Sequence, residues 1–243
     1  RFANRRQLLR DVDQLKQRLD ATRELNRHDS FTDQAAELLV NEASAAFDLS
    51  SESPQSIARY ETTSFRIGKK KFRPADIGTQ FLTARRLLEA GCGFVTLHSA
   101  GWDMHADGNN PGIHAGMEML GRPLDKAMSA FLEDLKERGM LDDVLVIVTG
   151  DFGRTPKINN RGGRDHWARL CTLGFFGGGI GRGEVFGQSD RTNSAPSSTP
   201  VSTGNLLATV VHTLFDVGDL RLDPGIPQEL FGLIQQDDPI IQL

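Results

Sequence analysis

The sequence predicts an α/β fold with a mostly parallel sheet, and three observations carry that prediction. Helical and strand-like segments alternate through residues 75–217, which is the order typical of layered α/β domains. The run at residues 144–148 is continuously apolar and rich in β-branched side chains, as in a parallel strand that is covered on both faces. Apolar residues make up 38% of the 243-residue chain, which is enough to form a sizeable core.

The N-terminal part of the chain predicts helices and no strand. Apolar residues recur at helical spacing among charges over residues 4–25, which indicates an amphipathic helix. Ser30 and Asp33 have the serine-x-x-acid form of a capping box and predict the start of a second helix. We therefore divide the chain into a helical appendage or insertion with its linker, residues 1–74, and an α/β core, residues 75–243.

Periodicity and glycine stops predict the elements of the core in order. Gly91 and Gly139 each follow a helical stripe and suit a helix C-terminus, while Pro123 marks a point where the longer helix is expected to bend or restart. The predicted elements are a helix over residues 77–88, a strand over 94–98, a helix over 113–135, strands over 144–148 and 170–176, and a helix over 206–215.

Charge and composition exclude several classes of function. The 28 basic and 32 acidic residues give a net charge of −4, whereas a dedicated nucleic-acid binder would carry a basic excess. No apolar run approaches the roughly 18 residues that cross a bilayer, so we expect no membrane span. Cys92 and Cys171 form neither a CxxC pair nor a zinc framework, and they can pair only if the fold brings them together.

Three loops concentrate the reactive side chains of the core. Ligands gather at the carboxyl ends of the strands in open parallel sheets, so the loops after the predicted strands at 94–98 and 144–148 are the first places to search. A third cluster lies just before the predicted strand at 170–176. The candidate site residues in these loops are, in chain order, Asp103, His105, Asp151, Arg154, Arg164 and His166.

The aspartates and histidines of these loops are candidate metal ligands. Carboxylate oxygen and imidazole nitrogen are the common ligands of zinc, manganese and iron. A divalent ion bound by Asp103, His105, Asp151 and His166 would polarise an oxyanion and lower the pKa of a bound water. Each residue alone also has an ordinary explanation, because aspartate often forms turns and a histidine can simply be part of a packed core. The convergence of three loops favours the metal site.

The two arginines are candidate catalytic residues. A guanidinium group can hold a phosphate or a sulfate through two parallel hydrogen bonds. We expect Arg154 or Arg164 to supply this clamp at the site.

Taken in order, these motifs resemble a known family. Residues 101–105, 150–156, 163–167 and 177–180 together resemble the bacterial domain-of-unknown-function 1501 family, over nearly the whole chain. Members of that family are often labelled sulfatase-like and placed in the alkaline phosphatase superfamily. The resemblance implies a three-layer α/β/α sandwich around a mostly parallel sheet, with one or two divalent metals at the strand ends. Zinc is the favoured metal, with manganese, iron or calcium as alternatives.

The resemblance also implies roles for individual residues. Asp103 and His105 resemble the first-metal aspartate and histidine of the superfamily, and His166 resembles its late single histidine ligand. Asp151 falls where the superfamily has an aspartate and histidine ligand pair. Phe152 stands in the place of that histidine, so a complete second metal site is in doubt.

The resemblance further implies partners and a compartment. It implies a first strand before Arg1, which would carry an early metal-binding aspartate and the nucleophile region and which a separate N-terminal peptide would supply. The helical stripes at residues 4–47 suggest packing on a second copy of the chain. The family is often exported, which suggests the periplasm or the cell envelope.

Two functions follow from these observations. The first is a metal-dependent hydrolase of phosphate or sulfate esters, acting on a small molecule or a glycan. The alternative is a catalytically degenerate form of the same fold that acts as a binding or assembly module. Phe152 and the lack of an obvious nucleophile favour that alternative.

Overall fold

The computed structural model describes residues 45–62, 76–181, 183–236 and 238–240. It divides the chain into two compact units, residues 1–51 with 86–95 and residues 52–85 with 96–243. The helices predicted over residues 4–25 and from Ser30 lie outside the described residues. The domain boundary expected between residues 74 and 75 stays a prediction.

In the described part of the chain, helices hold far more residues than strands. Its strands are β1 (Leu145–Val148), β2 (Gly153–Arg154), β3 (His166–Trp167) and β4 (Gly174–Gly177). Its α-helices are α1 (Pro54–Arg59), α2 (Ile77–Glu89), α3 (Ile113–Gly116), α4 (Arg122–Glu137), α5 (Thr203–Leu214), α6 (Val217–Leu222) and α7 (Gln228–Gln236), with a 3₁₀ turn at Leu49–Ser51 and a π-helical turn at Met117–Gly121.

The predicted mostly parallel, three-layer sandwich is wrong. The described strands form two antiparallel pairs, β1 with β4 and β2 with β3. A parallel pair needs a crossover connection, usually a helix, and the described chain between β1 and β4 contains only the short strands β2 and β3 and their loops. An apolar, β-branched run indicates a strand, but it does not determine the direction of the strand that pairs with it.

Two predicted strands are found and one is not. The prediction at 144–148 is confirmed by β1, and that at 170–176 is confirmed in part by β4, which begins only at Gly174. Residues 94–98 form no strand, and the Phe94 side chain is 87% exposed. None of the described strands pairs with this apolar run, because β1 pairs with β4 and β2 pairs with β3. An apolar side-chain pattern alone does not produce a strand.

Helices α2 and α4 pack through an apolar contact and a buried set of charges. The rings of Phe81 and Phe131 lie 5.2 Å apart between these helices. Nearby, the buried Arg85 pairs with Glu52 at 2.7 Å and with Asp134 at 3.1 Å. Burying a charge is costly unless it is paired, so these ion pairs are what allow Arg85 to lie inside the protein.

The long helical stripe changes geometry where proline predicts it. The π-helical turn Met117–Gly121 lies between α3 and α4, and Pro123 is the second residue of α4. The backbone stays helical through Gly121 and Arg122, so the missing amide hydrogen of Pro123 interrupts the hydrogen-bond pattern inside a continuous helical segment. Gly139 then ends this helical segment with a φ of +71°. The predicted bend or restart at Pro123 corresponds to the change from π-helical to α-helical geometry at Arg122, and the stop at Gly139 is confirmed.

The C-terminal helices form a small apolar cluster of their own. Val211, Val217 and Ile234 are buried together, one from each of α5, α6 and α7. Helix α5 begins with a capping box in which Ser202 accepts from the amide of Asn205, and it covers most of the predicted helix at 206–215. No helix in the described ranges is long and apolar enough to cross a membrane.

Candidate metal centre

A loop braced by a buried methionine carries the first two candidate ligands. Met104 is only 4% exposed and packs against α3, where a Cβ on Gly116 would lie 2.6 Å from its sulfur. Its neighbours Asp103 and His105 turn their side chains to the opposite side, toward His166. The Met104 carbonyl also accepts a hydrogen bond from the Arg164 amide at 2.9 Å. This bond fastens the loop to the segment that carries the third ligand.

A short hairpin carries the third candidate ligand. Arg154 in β2 and His166 in β3 are cross-strand partners, so their side chains are neighbours on one face of the pair. The connection between the two strands passes close to the ligand loop at Gly163, where a Cβ would lie 2.2 Å from the His105 carbonyl oxygen. Only glycine allows that approach, which brings the hairpin against the loop of Asp103 and His105.

Asp103, His105 and His166 converge on one point. The Nε2 atoms of the two histidines lie 3.1 Å apart. The Asp103 Oδ1 atom lies 3.3 Å from His166 Nε2 and 3.5 Å from His105 Nε2. Ligand atoms at 2.0–2.1 Å from a tetrahedral zinc ion stand about 3.3 Å from one another. The three atoms therefore have the spacing of three ligands around one tetrahedral metal ion, a set that would leave the fourth position to a water or a substrate oxygen.

The site is open to solvent on one side. The side chains of Asp103 and His166 are 52% and 53% exposed, whereas that of His105 is 17% exposed. This exposure leaves the candidate ligand atoms accessible to water from one side.

His105 is oriented from behind by Asp165. Its Nδ1 atom lies 3.3 Å from the Asp165 Oδ1 atom. An ionised carboxylate only accepts hydrogen bonds, so this contact places the ring proton on Nδ1 and leaves the lone pair on Nε2, facing the cluster. Asn159 donates to Asp165 Oδ1 at 3.4 Å and to the His105 carbonyl at 3.0 Å. Asn159 thereby connects the Asp165 carboxylate to the backbone of the loop that carries His105.

Arg154 lies directly against the candidate ligand atoms. Its Nη2 atom donates to Asp103 Oδ1 at 2.7 Å and to the Trp102 carbonyl at 3.1 Å. Its Nη1 atom lies 3.4 Å from His105 Nε2. The hydrogen bond from Arg154 is the largest cause that lowers the pKa of Asp103, and the contact with His166 lowers it further. Asp103 is therefore ionised over the neutral pH range.

Phe152 packs on His166. The two rings lie 4.4 Å apart at an angle of 48°, and the His166 ring in turn lies 4.7 Å from the His105 ring. A tilted ring pair of this kind restricts the orientation of the imidazole. Phe152 stands where the resemblance implies a histidine. Its ring packs on His166, which is one of the three candidate ligands.

The six residues predicted for the site fall into two groups. Asp103, His105, Arg154 and His166 come together, and Asp151 is exposed and lies outside the group of candidate ligands. The Arg164 Nη1 atom instead donates to the carbonyls of Thr155 and Pro156, both at 2.6 Å. Its contacts brace the loop between β2 and β3.

Two residues of the site were missed by the sequence analysis. Asp165 lies beside His166 in the motif at 163–167, and the sequence predicted a metal-ligand role only for His166. No local pattern indicates that the Asp165 side chain faces His105. Asn159 lies in a polar turn, where asparagine is ordinary. Its role depends on contacts with a loop about 50 residues earlier in the chain, which no local pattern encodes.

Comparisons with known proteins identify the family and nothing finer. The family model described as "Protein of unknown function (DUF1501)" matches residues 1–234. No curated protein matches the chain, and no solved structure matches it.

Proposed function

This chain belongs to the DUF1501 family, whose function is unknown, and we propose that it is a metal-dependent hydrolase of phosphate or sulfate esters. One observation carries the proposal: a carboxylate oxygen and two imidazole nitrogens lie 3.1–3.5 Å from one another, which is the spacing of three ligands around one metal ion. The Arg154 guanidinium beside them adds a group that suits an oxyanion.

The donor set favours zinc. Two imidazole nitrogens and one carboxylate oxygen form a common ligand set of catalytic zinc, and they also suit iron and manganese. Calcium prefers six to eight oxygen ligands, so the two histidines argue against it. When bound, the metal would lower the pKa of a coordinated water and polarise the ester oxygen.

The residues of the chain would supply position and charge. Asp165 holds His105 with the Nε2 lone pair toward the cluster, and Phe152 restricts the ring of His166. Arg154 would hold a non-bridging oxygen of the phosphate or sulfate, where negative charge builds up as the ester bond breaks. The exposed side of the cluster admits an ester on a small molecule or on a glycan.

Metal content and ester hydrolysis test the proposal together. We expect the purified wild-type protein to hold metal near one equivalent by elemental analysis and to hydrolyse an aryl phosphate or an aryl sulfate. His166→Ala removes one of three ligands and is expected to lower both the bound metal and the rate at least tenfold. Asp151→Asn is the matched control, since that aspartate is exposed and lies outside the cluster. It is expected to leave both values within about twofold of wild type.

Two outcomes would overturn the proposal in different ways. Wild-type protein without bound metal, and with a melting temperature that chelator leaves unchanged, would exclude the metal centre. Stoichiometric metal without hydrolysis across a panel of phosphate and sulfate esters would exclude the hydrolase. That second result would favour the alternative, a binding module that keeps the ligand set without the reaction.

A further inference from the structure

Arg154 uses the atoms that a metal would need. Its Nη2 atom donates to Asp103 Oδ1 at 2.7 Å, and its Nη1 atom lies 3.4 Å from His105 Nε2. These are two of the three candidate ligand atoms. The guanidinium group therefore lies at the mouth of the ligand cluster, with one N–H group directed at each of two ligands.

One ligand atom cannot serve both partners. A neutral imidazole nitrogen has a single lone pair, so His105 Nε2 either accepts an N–H bond or coordinates a metal. A guanidinium group at 2.7 Å from Asp103 Oδ1 also brings a positive charge next to the position of a cation. Arg154 must therefore leave His105 Nε2 before that atom can coordinate a metal, and its charge opposes a cation beside Asp103 even though the carboxylate has further lone pairs.

Two further contacts of Arg154 can hold its side chain near the cluster after it has left the ligand atoms. Its Nη2 atom also donates to the Trp102 carbonyl at 3.1 Å, and its guanidinium carbon lies 5.8 Å from the centre of the Phe152 ring. Neither group belongs to the cluster of Asp103, His105 and His166. These two contacts can hold the side chain at the rim of the cluster while its N–H groups turn toward solvent.

From this geometry we infer that Arg154 is an exchangeable occupant of the metal site: it pairs with Asp103 and His105 in the metal-free protein and turns to bind an oxyanion when those atoms bind a metal. The inference rests on the proposed function, and it adds the order in which the metal and the oxyanion bind. The oxyanion clamp exists only in the metal-loaded protein, so phosphate or sulfate binds after the metal. Because coupling between two ligands is reciprocal, a bound oxyanion then strengthens the hold on the metal.

Zinc affinity in the absence of substrate is the first test. It is measured for the full chain by competition with a chromophoric chelator. Arg154→Met keeps an unbranched side chain but removes the guanidinium, and we expect it to bind zinc about 10-fold to 100-fold more tightly than wild type. Arg161→Met is the matched control, because Arg161 is an exposed arginine of the β2–β3 connection. Its zinc affinity is expected to stay within about twofold of wild type.

Inorganic sulfate and phosphate are the second probe. In the wild type, either anion is expected to tighten zinc binding, and zinc is expected to be required for the anion to bind. In Arg154→Met this coupling is expected to disappear. Arg154→Lys keeps the charge and the length but not the forked N–H groups, so we expect a zinc affinity between those of wild type and Arg154→Met. Circular dichroism and melting temperature verify that each variant is folded.

The outcomes separate this inference from the proposed function. Wild-type protein that binds no zinc overturns both. Wild-type protein that binds one zinc, with folded Arg154→Met and Arg154→Lys that bind it no more tightly, overturns the inference alone. Anion binding that is equally strong with and without zinc also overturns it alone.

Discussion

At the scale of the residue, the candidate site depends on side chains other than the three candidate ligands. Asp165 lies 3.3 Å from His105 Nδ1, and a carboxylate in that position fixes the ring proton and increases the electron density on the opposite nitrogen. The ligand types alone do not make a metal site. Their lone pairs have to face one point, and Asp165 is the group that achieves this for His105.

Asp165→Asn tests this positioning role. Asparagine keeps the shape of the side chain but removes its charge, and its amide can present a donor to Nδ1 and so favour the wrong tautomer. We expect zinc affinity to fall about tenfold, with the circular dichroism spectrum unchanged. Asp151→Asn, the same change at an exposed position, is expected to have no such effect. Equal zinc affinities in Asp165→Asn and wild type would show that Asp165 does not orient the ligand.

At the scale of the element, the pairing of β1 with β4 depends on a glycine. In this pair Leu145 lies opposite Gly177, whose φ is +69°. A Cβ on Gly177 would lie 2.3 Å from the Val144 carbonyl oxygen and 2.6 Å from that of Leu141. The backbone turns back on itself at the end of β4, and a larger residue would force these segments apart.

Gly177→Ala is therefore expected to destabilise the protein more than Gly179→Ala does. Gly179 is the matched control, since it has a φ of +70° but open space around a built Cβ. Gly179→Ala should lose about 1–2 kcal/mol of the free energy of unfolding, which is the cost of a left-handed backbone for alanine. Gly177→Ala should lose at least about 1 kcal/mol more because of the added overlap. Urea denaturation measures both, and equal losses would contradict the close approach seen at Gly177.

At the scale of the whole molecule, a buried set of charges connects helices that are far apart in sequence. Asp134 in α4 receives hydrogen bonds from the Tyr60 hydroxyl at 3.0 Å and from Arg138 at 2.7 Å, and it pairs with Arg85 of α2. Burial raises the pKa of Asp134, but the Arg138 and Tyr60 hydrogen bonds and the Arg85 charge outweigh burial and leave the pKa below its ordinary value of 3.8. Burial and the neighbouring negative charge likewise raise the pKa of Tyr60.

Asp134→Asn tests how much this set of charges stabilises the fold and at which pH. At pH 7 we expect the variant to lose about 3 kcal/mol of the free energy of unfolding, because Arg85 keeps its buried charge without this partner. The folded-state pKa of Asp134 lies below the unfolded value, so its contribution is complete above that value and is lost as the pH falls through the folded pKa. The difference between wild type and variant should therefore shrink as the pH falls below about 4.

The control for this prediction is a neighbouring carboxylate. Glu133 is the residue before Asp134 on the same helix, and its side chain is 66% exposed. Glu133→Gln is expected to change the free energy of unfolding by less than about 0.5 kcal/mol at either pH. A stability difference for Asp134→Asn that stays constant from pH 7 to pH 3 would contradict the role given to its charge.

Sequence reasoning located the helices of the described core better than the sheet. Helix α2, the restart at Pro123 and the stop at Gly139 were all predicted, because proline, glycine and a 3.6-residue period act within a few residues of the chain. The parallel sheet was wrong because the direction of pairing is decided by the connection between strands. The prediction of a strand at 94–98 was wrong because an apolar run forms a strand only where a second strand pairs with it.

The amino-acid sequence by itself determined the chemistry that this protein has to work with: an aspartate and two histidines of metal-binding type, and an arginine near them in the motifs. Only the tertiary structure decided which of these residues meet. It brought His105 and His166, 61 positions apart, to 3.1 Å, left Asp151 outside, and set Asp165 behind His105 and Arg154 on the ligand atoms. The reason is physical: residue type and spacing act locally, whereas a metal site and its tautomers depend on contacts between distant loops that packing alone brings together.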